Sequence, residues 1–358
     1  MSQMRSEIQE QPKVVAALAR RGTLPYRDLV RTLKASHIRF VLYVARGTSD
    51  NAAVYGQYLA STLAGLPSGL ALPSASTLYR SQLTLEHSLV VGISQSGETP
   101  DVAEAVAAAR AQGALTVAIT NNPKSPLAQA AAWTLETRAG TEKAVAATKT
   151  YTAQLAVLAL FWSTWAGDRF LLDSLAREVP PALEISLSTE GAMAALADQL
   201  VPSPKLLLVA RGYNLATALE TSLKIQETSG IPSMAYSGAD LLHGPIAMLG
   251  RGVTVLCFNV PGPTEASMTD LTGTLRSRGA RVVSLSSVPR QLPASQSGRD
   301  TGGAAGGEID TVALPSLPDP LSPIANIVPG QLLAYHLATR AGRDPDRPAG
   351  LSKVTLAR

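Results

Sequence analysis

The chain has almost nothing with which to cross-link itself. Its 358 residues hold one cysteine, Cys257, inside the apolar run from Val253 to Phe258. A single cysteine excludes an internal disulfide and any paired-cysteine metal site. Set in an apolar run, it reads as a small core residue rather than a nucleophile. Aromatic residues are also scarce, at 4%. No block of Lys and Arg interleaves with them, which excludes the stacking platforms and basic stripes of a nucleic-acid binder. No apolar run reaches the ~18 residues of a membrane span. Leu155 to Phe161 is apolar, but Trp162-Ser163-Thr164 and Asp168 follow, as in a buried helix. The first thirteen residues are polar and charged, so no secretory signal is expected there. These absences lead to the expectation of a cytoplasmic protein with neither a membrane nor a nucleic-acid partner. Histidine is limited to His37, His87, His243 and His336. A net charge of +4 helps attract an anionic metabolite but is too diffuse to argue for nucleic acid.

What is present is a large apolar fraction, 46%, against 16% charged residues. That allows a sizeable core, and the length suits two domains better than one. One architecture is written twice. Phe40 to Val44 reads as a strand and runs into Ala45-Arg46-Gly47-Thr48-Ser49-Asp50. Lys205 to Val209 reads the same way and runs into Ala210-Arg211-Gly212-Tyr213-Asn214. Both copies carry Val-Ala-Arg-Gly at the end of the strand. Further strands follow at matching distances, Leu89 to Ile93 and Val253 to Phe258, then Leu115 to Ile119 and Val282 to Leu285. Strands alternating with helices at this spacing imply parallel sheets with right-handed crossovers. The expected fold is α/β, two tandem doubly wound domains over residues 26–172 and 190–345. A linker-like segment, 1–25, precedes them, and a tail, 346–358, carries Lys353. The helical stretch around Ala182 to Leu200 connects the domains.

The stretch with most chemistry in it is Ser94-Gln95-Ser96-Gly97-Glu98-Thr99, between the apolar strand and an alanine-rich helix that begins near Pro100. A strand–loop–helix junction gathers backbone N–H groups at the positive end of the helix dipole, which suits a phosphate. Ser94, Ser96, Thr99 and Gln95 add hydrogen-bonding groups without formal charge. An ordinary capped turn uses the same hydroxyls. Four polar groups within six residues directly after a strand favour an anion site. The counterpart in the second copy, Asn259-Val260-Pro261-Gly262-Pro263, has lost the hydroxyls, and its prolines lack N–H donors. One phosphate site per chain is therefore expected. Ser287 to Glu308, rich in Gly and Ser, reads as a surface loop.

The residues alone leave the reacting groups open. His37 and His87 precede strands and read as surface residues, and His336 sits in an apolar-periodic helix and reads as packed. His243, before Gly244-Pro245, stands at a turn from which a histidine can reach a ligand. Glu220, Lys224 and Glu227 share one helix face at i, i+4 and i+7. From spacing the bland reading is a solvated, salt-bridged face; a functional one puts Glu227 in a pocket as a base beside a carbonyl. Lys353 reads as exposed by default, or as a buried amine able to form a Schiff base.

Taken together, these stretches resemble the sugar isomerase (SIS) domain family in its two-domain form, with flavodoxin-like topology. They look most like the isomerase half of glucosamine-6-phosphate synthase and stand-alone glucosamine-6-phosphate deaminases of the same type. The resemblance runs through Glu7 to Pro12, Arg46 to Ser49, Ser94 to Thr99, Ala139 to Glu142, Ala147 to Lys149, Leu223-Lys224, Glu227, His243 to Pro245, Gln331 to His336 and Leu351 to Lys353.

The resemblance implies a division of roles. Gly47, Thr48, Ser49, Ser94, Gln95, Ser96 and Thr99 would hold a 6-phosphate, with Ala147 and Ser352 along the sugar. Glu227 would move a proton between C1 and C2 of an open-chain phosphosugar. Lys224 would steady the developing charge or position Glu227, and Lys353 would open the ketose through a Schiff base. His243 would assist ring opening from the partner subunit, which implies a homodimer. No metal or organic cofactor is implied.

Departures from the synthase narrow the expectation. Ala147 replaces a serine, Gln226 a lysine and Ala349 an arginine, and the chain passes at once from Met1-Ser2 into the Glu7 to Pro12 segment with no glutaminase domain or cysteine before it. The expected activity is therefore conversion of glucosamine 6-phosphate to fructose 6-phosphate and ammonia, without glutamine. The alternatives are another phosphosugar aldose–ketose isomerase, a fructosamine-6-phosphate deglycase, or a non-catalytic phosphosugar-binding module.

Overall fold

The computed structural model describes residues 2–201, 205–288 and 309–353. Among these, one five-stranded sheet holds β1 (Phe40–Val44), β2 (Ser68–Leu70), β3 (Ser88–Ile93), β4 (Leu115–Thr120) and β5 (Trp133–Glu136), in the order β2-β1-β3-β4-β5. A second holds β6 (Leu206–Ala210), β7 (Ser233–Ser237), β8 (Thr254–Asn259), β9 (Arg281–Ser286) and β10 (Thr311–Ala313), in the order β7-β6-β8-β9-β10. Every pairing is parallel. The two orders are identical, so the repeat written in the sequence is a repeat of topology, and the architecture is the expected tandem doubly wound α/β fold.

Central strands follow from their composition. β3 and β8 are buried at every position, as strands covered on both faces by helices must be. The shorter β2, β5, β7 and β10 are half exposed in part and went unread in the sequence. The strands taken as second in each copy are therefore third in chain order.

The helices between the sheets fuse the two halves. Helix Thr48–Ala64 packs on helix Lys149–Ala166, and helix Leu215–Ser229 packs on both Thr48–Ala64 and Ser322–Arg340. One apolar cluster runs through this layer from Met4 to Leu337, and two smaller clusters lie under the outer helices. The segment 155–161 is indeed a buried helix. Cys257 is fully buried, and burial pushes its thiol up to about 12, so it is a core residue.

Within the segment 1–25, which read as a linker, Gln3–Gln9 and Gln11–Arg20 are helices. Met4 and Ile8 are wholly buried. The connecting stretch around Ala182 to Leu200 falls in helices Val179–Leu187 and Glu190–Leu200, preceded by helix Arg169–Arg177. Residues 289–308, most of the Gly- and Ser-rich stretch expected as a surface loop, lie outside the described residues. Among the described residues no helix is long and apolar enough to cross a membrane.

Candidate active site

An open parallel sheet leaves a crevice at the carboxyl ends of the two strands where its order reverses. In the first sheet these are β1 and β3, paired from Phe40↔Ser88 to Val44↔Gly92. The segments leaving that crevice are Ala45 to Ser49 and Ser94 to Thr99. Both line a cavity of ≈ 330 Å³, at the small end of the ~300–1,000 Å³ range of small-molecule sites.

The Ser94–Thr99 loop is held by its own turn, Gly97 N–H donating to Ser94 Oγ at 3.1 Å and Glu98 N–H to Ser96 Oγ at 3.2 Å, and by its neighbours. Ser94 N–H donates to Ile119 O at 3.1 Å, Asn121 N–H to Gln95 O at 3.0 Å, and Leu127 N–H to Gly97 O at 3.0 Å. Gly97 has φ +69°, and a Cβ there would stand 2.0 Å from Ser125 Oγ, so only glycine fits. Thr99 occupies the N-cap of helix Pro100–Ala111, yet makes no capping bond. Its hydroxyl pairs instead with Ser94 Oγ at 3.2 Å. The first turn of that helix is thus left without a side-chain cap, facing the crevice, as an anion site requires. Helix Thr48–Ala64, starting at Gly47 with φ +56°, likewise has no side-chain cap.

The opposite wall comes from the second domain. Lys224 and Glu227 line the cavity from helix Leu215–Ser229. The face read as solvated is buried. Glu220 is 0% exposed, Lys224 0%, and the Glu227 side chain 23%. The reason is the packing of this face against helices Thr48–Ala64 and Ser322–Arg340; spacing cannot tell a surface ion pair from a buried one. Lys224 Nζ donates to Thr48 Oγ1 at 2.8 Å, bonds Glu227 Oε2, and lies 3.4 Å from Glu220 Oε1. Asn51 Nδ2 donates to Glu220 Oε2 at 2.8 Å. Burial pushes the Glu220 carboxyl up to about 7, although Lys224 pulls the other way. Burial alone would lower the Lys224 ammonium, but Glu220 and Glu227 outweigh it and raise it. Lys224 is therefore a fixed cation between two carboxylates.

The third wall is the segment 142–150 with the tail. Glu142, buried, accepts from Thr148 N–H at 2.9 Å and Thr150 N–H at 3.1 Å. Glu7 accepts from the N–H groups of Lys143 and Ala144. Lys353 Nζ donates to Ala144 O at 2.5 Å and lies 3.4 Å from Glu142 Oε2. The tail thereby brings Leu351, Ser352 and Lys353 to the cavity, beside Ala147.

Every candidate residue from the sequence lines this cavity except His243. That histidine ends the short helix Gly238–Leu242 and is exposed, so within one chain it is not brought to the other groups. His37 and His87 are exposed and His336 is packed, as expected. Gln226 is turned away from the cavity, its amide donating to Ser233 O at 2.7 Å, and Ala349 is exposed. The sequence assigned no role to Arg46, Thr150 or Gln154, which also line the site; Arg46 was marked only by the repeated Val-Ala-Arg-Gly and by the stretch Arg46 to Ser49 of the resemblance. Among the described residues no group of three or more His, Cys, Asp or Glu could hold a metal ion.

Comparison with known proteins shows the family. The family model of the SIS domain matches residues 28–163 and 199–297. The chain is 35% identical over 353 residues to the glutamine–fructose-6-phosphate aminotransferase (isomerizing) of Methanothermobacter thermautotrophicus, covering 98% of this chain and 56% of that protein. It thus spans just over half the length of such curated relatives. Its structure matches that of a Silicibacter pomeroyi protein proposed to be a phosphosugar isomerase, with TM-score 0.82, 30% identity and coverage of 97% and 100% of the two chains. The C-terminal domain of glucosamine-fructose-6-phosphate aminotransferase from Francisella tularensis matches with TM-score 0.85, 25% identity and coverage of 97% and 98%.

Proposed function

This chain belongs to the SIS domain family, and we propose that it is a phosphosugar isomerase of that family whose reaction is deamination of glucosamine 6-phosphate to fructose 6-phosphate and ammonia. One observation carries the reading. A single cavity has an uncapped serine-rich loop at one wall and, across it, a carboxylate, an ammonium and the tail amine.

The loop residues Ser94, Gln95, Ser96 and Thr99, with Gly47, Thr48 and Ser49, bind the 6-phosphate. That anchor supplies binding energy remote from the reacting carbons. It also fixes C1 and C2 of the open-chain sugar against Glu227. Glu227 removes the proton at C2, and the charge that develops on O1 is met by Lys224, which Thr48 and Glu220 hold in place. Glu227 returns the proton to C1 while the amino group gives one proton to O1, leaving a 1-hydroxyl and an imine at C2. The Lys353 amine adds to that carbon and expels ammonia. Water then cleaves the Lys353 Schiff base to release fructose 6-phosphate. Ser352 and Ala147 border the sugar, and Ala147 offers no hydroxyl to it. His243 of the partner subunit assists ring opening in a homodimer. The departures at Gln226 and Ala349 lie outside the cavity and so leave the reacting groups intact.

The test separates binding from turnover. Glu227→Gln is expected to lower kcat by about 10²–10⁴, the usual contribution of a general base, with the Kd for glucitol 6-phosphate little changed. Unchanged kcat would remove Glu227 from the mechanism. A panel of hexosamine 6-phosphates, with ammonia and ketose phosphate followed together, tests the substrate. Aldose–ketose exchange without ammonia would move the reading to a plain isomerase. Binding without turnover of any member would leave a phosphosugar-binding module.

A further inference from the structure

Three cationic side chains among the described residues line the cavity: Arg46, Lys224 and Lys353. Lys224 is committed to Thr48, Glu220 and Glu227, and Lys353 to Ala144 O and Glu142. Arg46 is the one at the loop. It leaves β1 next to the start of the loop on β3, because Val44 pairs with Gly92. Its Nε and Nη2 both bond one oxygen, Asp101 Oδ2, at 2.7 and 2.6 Å.

Asp101 makes this arrangement unusual. It stands in the first turn of helix Pro100–Ala111, two residues beyond Thr99. It is 4% exposed, and its other oxygen, Oδ1, is buried without a hydrogen-bond partner. A carboxylate at the start of a helix normally stabilises it. At the mouth of a phosphate site, however, it repels the ligand. Arg46 cancels that charge, while Asp101 fixes the guanidinium by two of its donors. Nη1 remains for the ligand, and the Arg46 side chain is half exposed at the rim.

We propose that Arg46, aimed by Asp101, is the residue that makes this site selective for a phosphate dianion. The neutral hydroxyls and N–H groups of the Ser94–Thr99 loop accept any tetrahedral anion. A fixed guanidinium rewards the second negative charge and matches the geometry of phosphate oxygens. Asp101 is a positioning residue and touches no ligand. This deepens the proposed function, because it rests on a phosphate at that loop.

The experiment measures Kd by calorimetry at pH 8 for glucitol 6-phosphate and for its 6-sulfate counterpart, a monoanion. Wild type is expected to prefer the phosphate. Arg46→Gln is expected to weaken phosphate binding about 10–100-fold, the range of a lost charge-assisted bond, and sulfate binding much less, so that the preference shrinks. Arg46→Lys keeps the charge without the fork and falls between. The deciding variant is Arg46→Gln/Asp101→Asn, which leaves no bare buried carboxylate and so escapes the folding penalty of the single change. It is expected to recover the part of the loss that the bare carboxylate causes, yet to stay well below wild type in both phosphate affinity and preference. Wild-type phosphate affinity and preference in the double variant would overturn the proposal and reduce Arg46 to a mask for Asp101. Wild type that binds neither ligand would instead refute the phosphate site itself.

Discussion

Lys224→Met carries the most specific physical signature. Lys224 and Glu220 are both fully buried, and removing one partner of a buried ion pair costs about 3–5 kcal/mol, because the other charge is stranded. Glu220 can escape by taking a proton, so the cost depends on pH in a calculable way. Its carboxyl already sits at about 7 instead of 4.5. Below pH 4.5 it is protonated folded and unfolded, and contributes no penalty. Between 4.5 and 7 the folded chain keeps a proton that the unfolded chain releases. Wild-type stability therefore falls by ~1.4 kcal/mol per pH unit, ~3 kcal/mol in all, and this contribution levels off above pH 7. Without Lys224 the carboxyl loses the attraction that holds it down, and its titration moves above 7. The fall then continues through pH 7–8.5, and the gap between variant and wild type widens by ~2 kcal/mol over that range. Urea unfolding followed by tryptophan fluorescence (Trp162 and Trp165 are buried) measures it directly. Lys224→Met/Glu220→Gln should close most of the extra gap. A gap of constant size from pH 6 to 8.5 would refute the assignment of Glu220 as the titrating group.

Other perturbations are equally direct. Gly97→Ala drives a Cβ into Ser125 Oγ at a left-handed residue, costing about 1–3 kcal/mol; the loop must shift, so KM for the phosphate ester should rise with a small loss of melting temperature, and a wild-type KM would sink the loop assignment. Tyr43→Phe removes the hydroxyl that accepts from Trp162 Nε1 and donates to Gly56 O; unfolding should become easier by about 1–3 kcal/mol, with kcat unchanged. Mixing Glu227→Gln with His243→Gln after subunit exchange should restore activity, because mixed dimers hold one complete site. No recovery would place His243 outside the partner's site.

How much of this could be read beforehand divides along physical lines. β1, β3, β4, β6, β8 and β9 announce themselves because strands covered on both faces carry mostly apolar runs. β2 and β10, three residues each at the sheet edges, need no such run and give no signal. Ser94–Thr99 was legible as a cavity-lining loop because its hydroxyls cluster beside a strand end. Glu220 and Lys224 were legible as a pair but not as a buried one, since i,i+4 spacing is the same in water and in a core. Arg46 was visible as part of a repeat and of the stretch Arg46 to Ser49, with no role assigned to it. What gives it meaning is Asp101, fifty-five residues away, and only the crossover between β1 and β3 brings the two together.

The same logic accounts for the silence of the second switch point. β6 and β8 repeat the geometry of β1 and β3, with Arg211-Gly212 and Asn259 to Thr264 at their carboxyl ends. Yet Asp319 stands against that loop: a Cβ on Gly262 would lie 3.3 Å from Asp319 Oδ2. Burial pushes this carboxyl up to about 6, so at pH 7 it is mostly ionised, with no arginine bonded to it among the described contacts. A phosphate there would meet a negative charge, and Pro261 and Pro263 offer no N–H to hold it. Relieved of binding, the second domain supplies helix Leu215–Ser229, whose carboxylates and ammonium reach the first domain's crevice through Thr48 and Asn51. On the proposed function, two copies of one fold divide the work, one gripping the anion and the other bringing charge to its far end. It follows that Asp319→Asn should leave ligand affinity at the first site unchanged. A change there would mean that the two crevices are coupled.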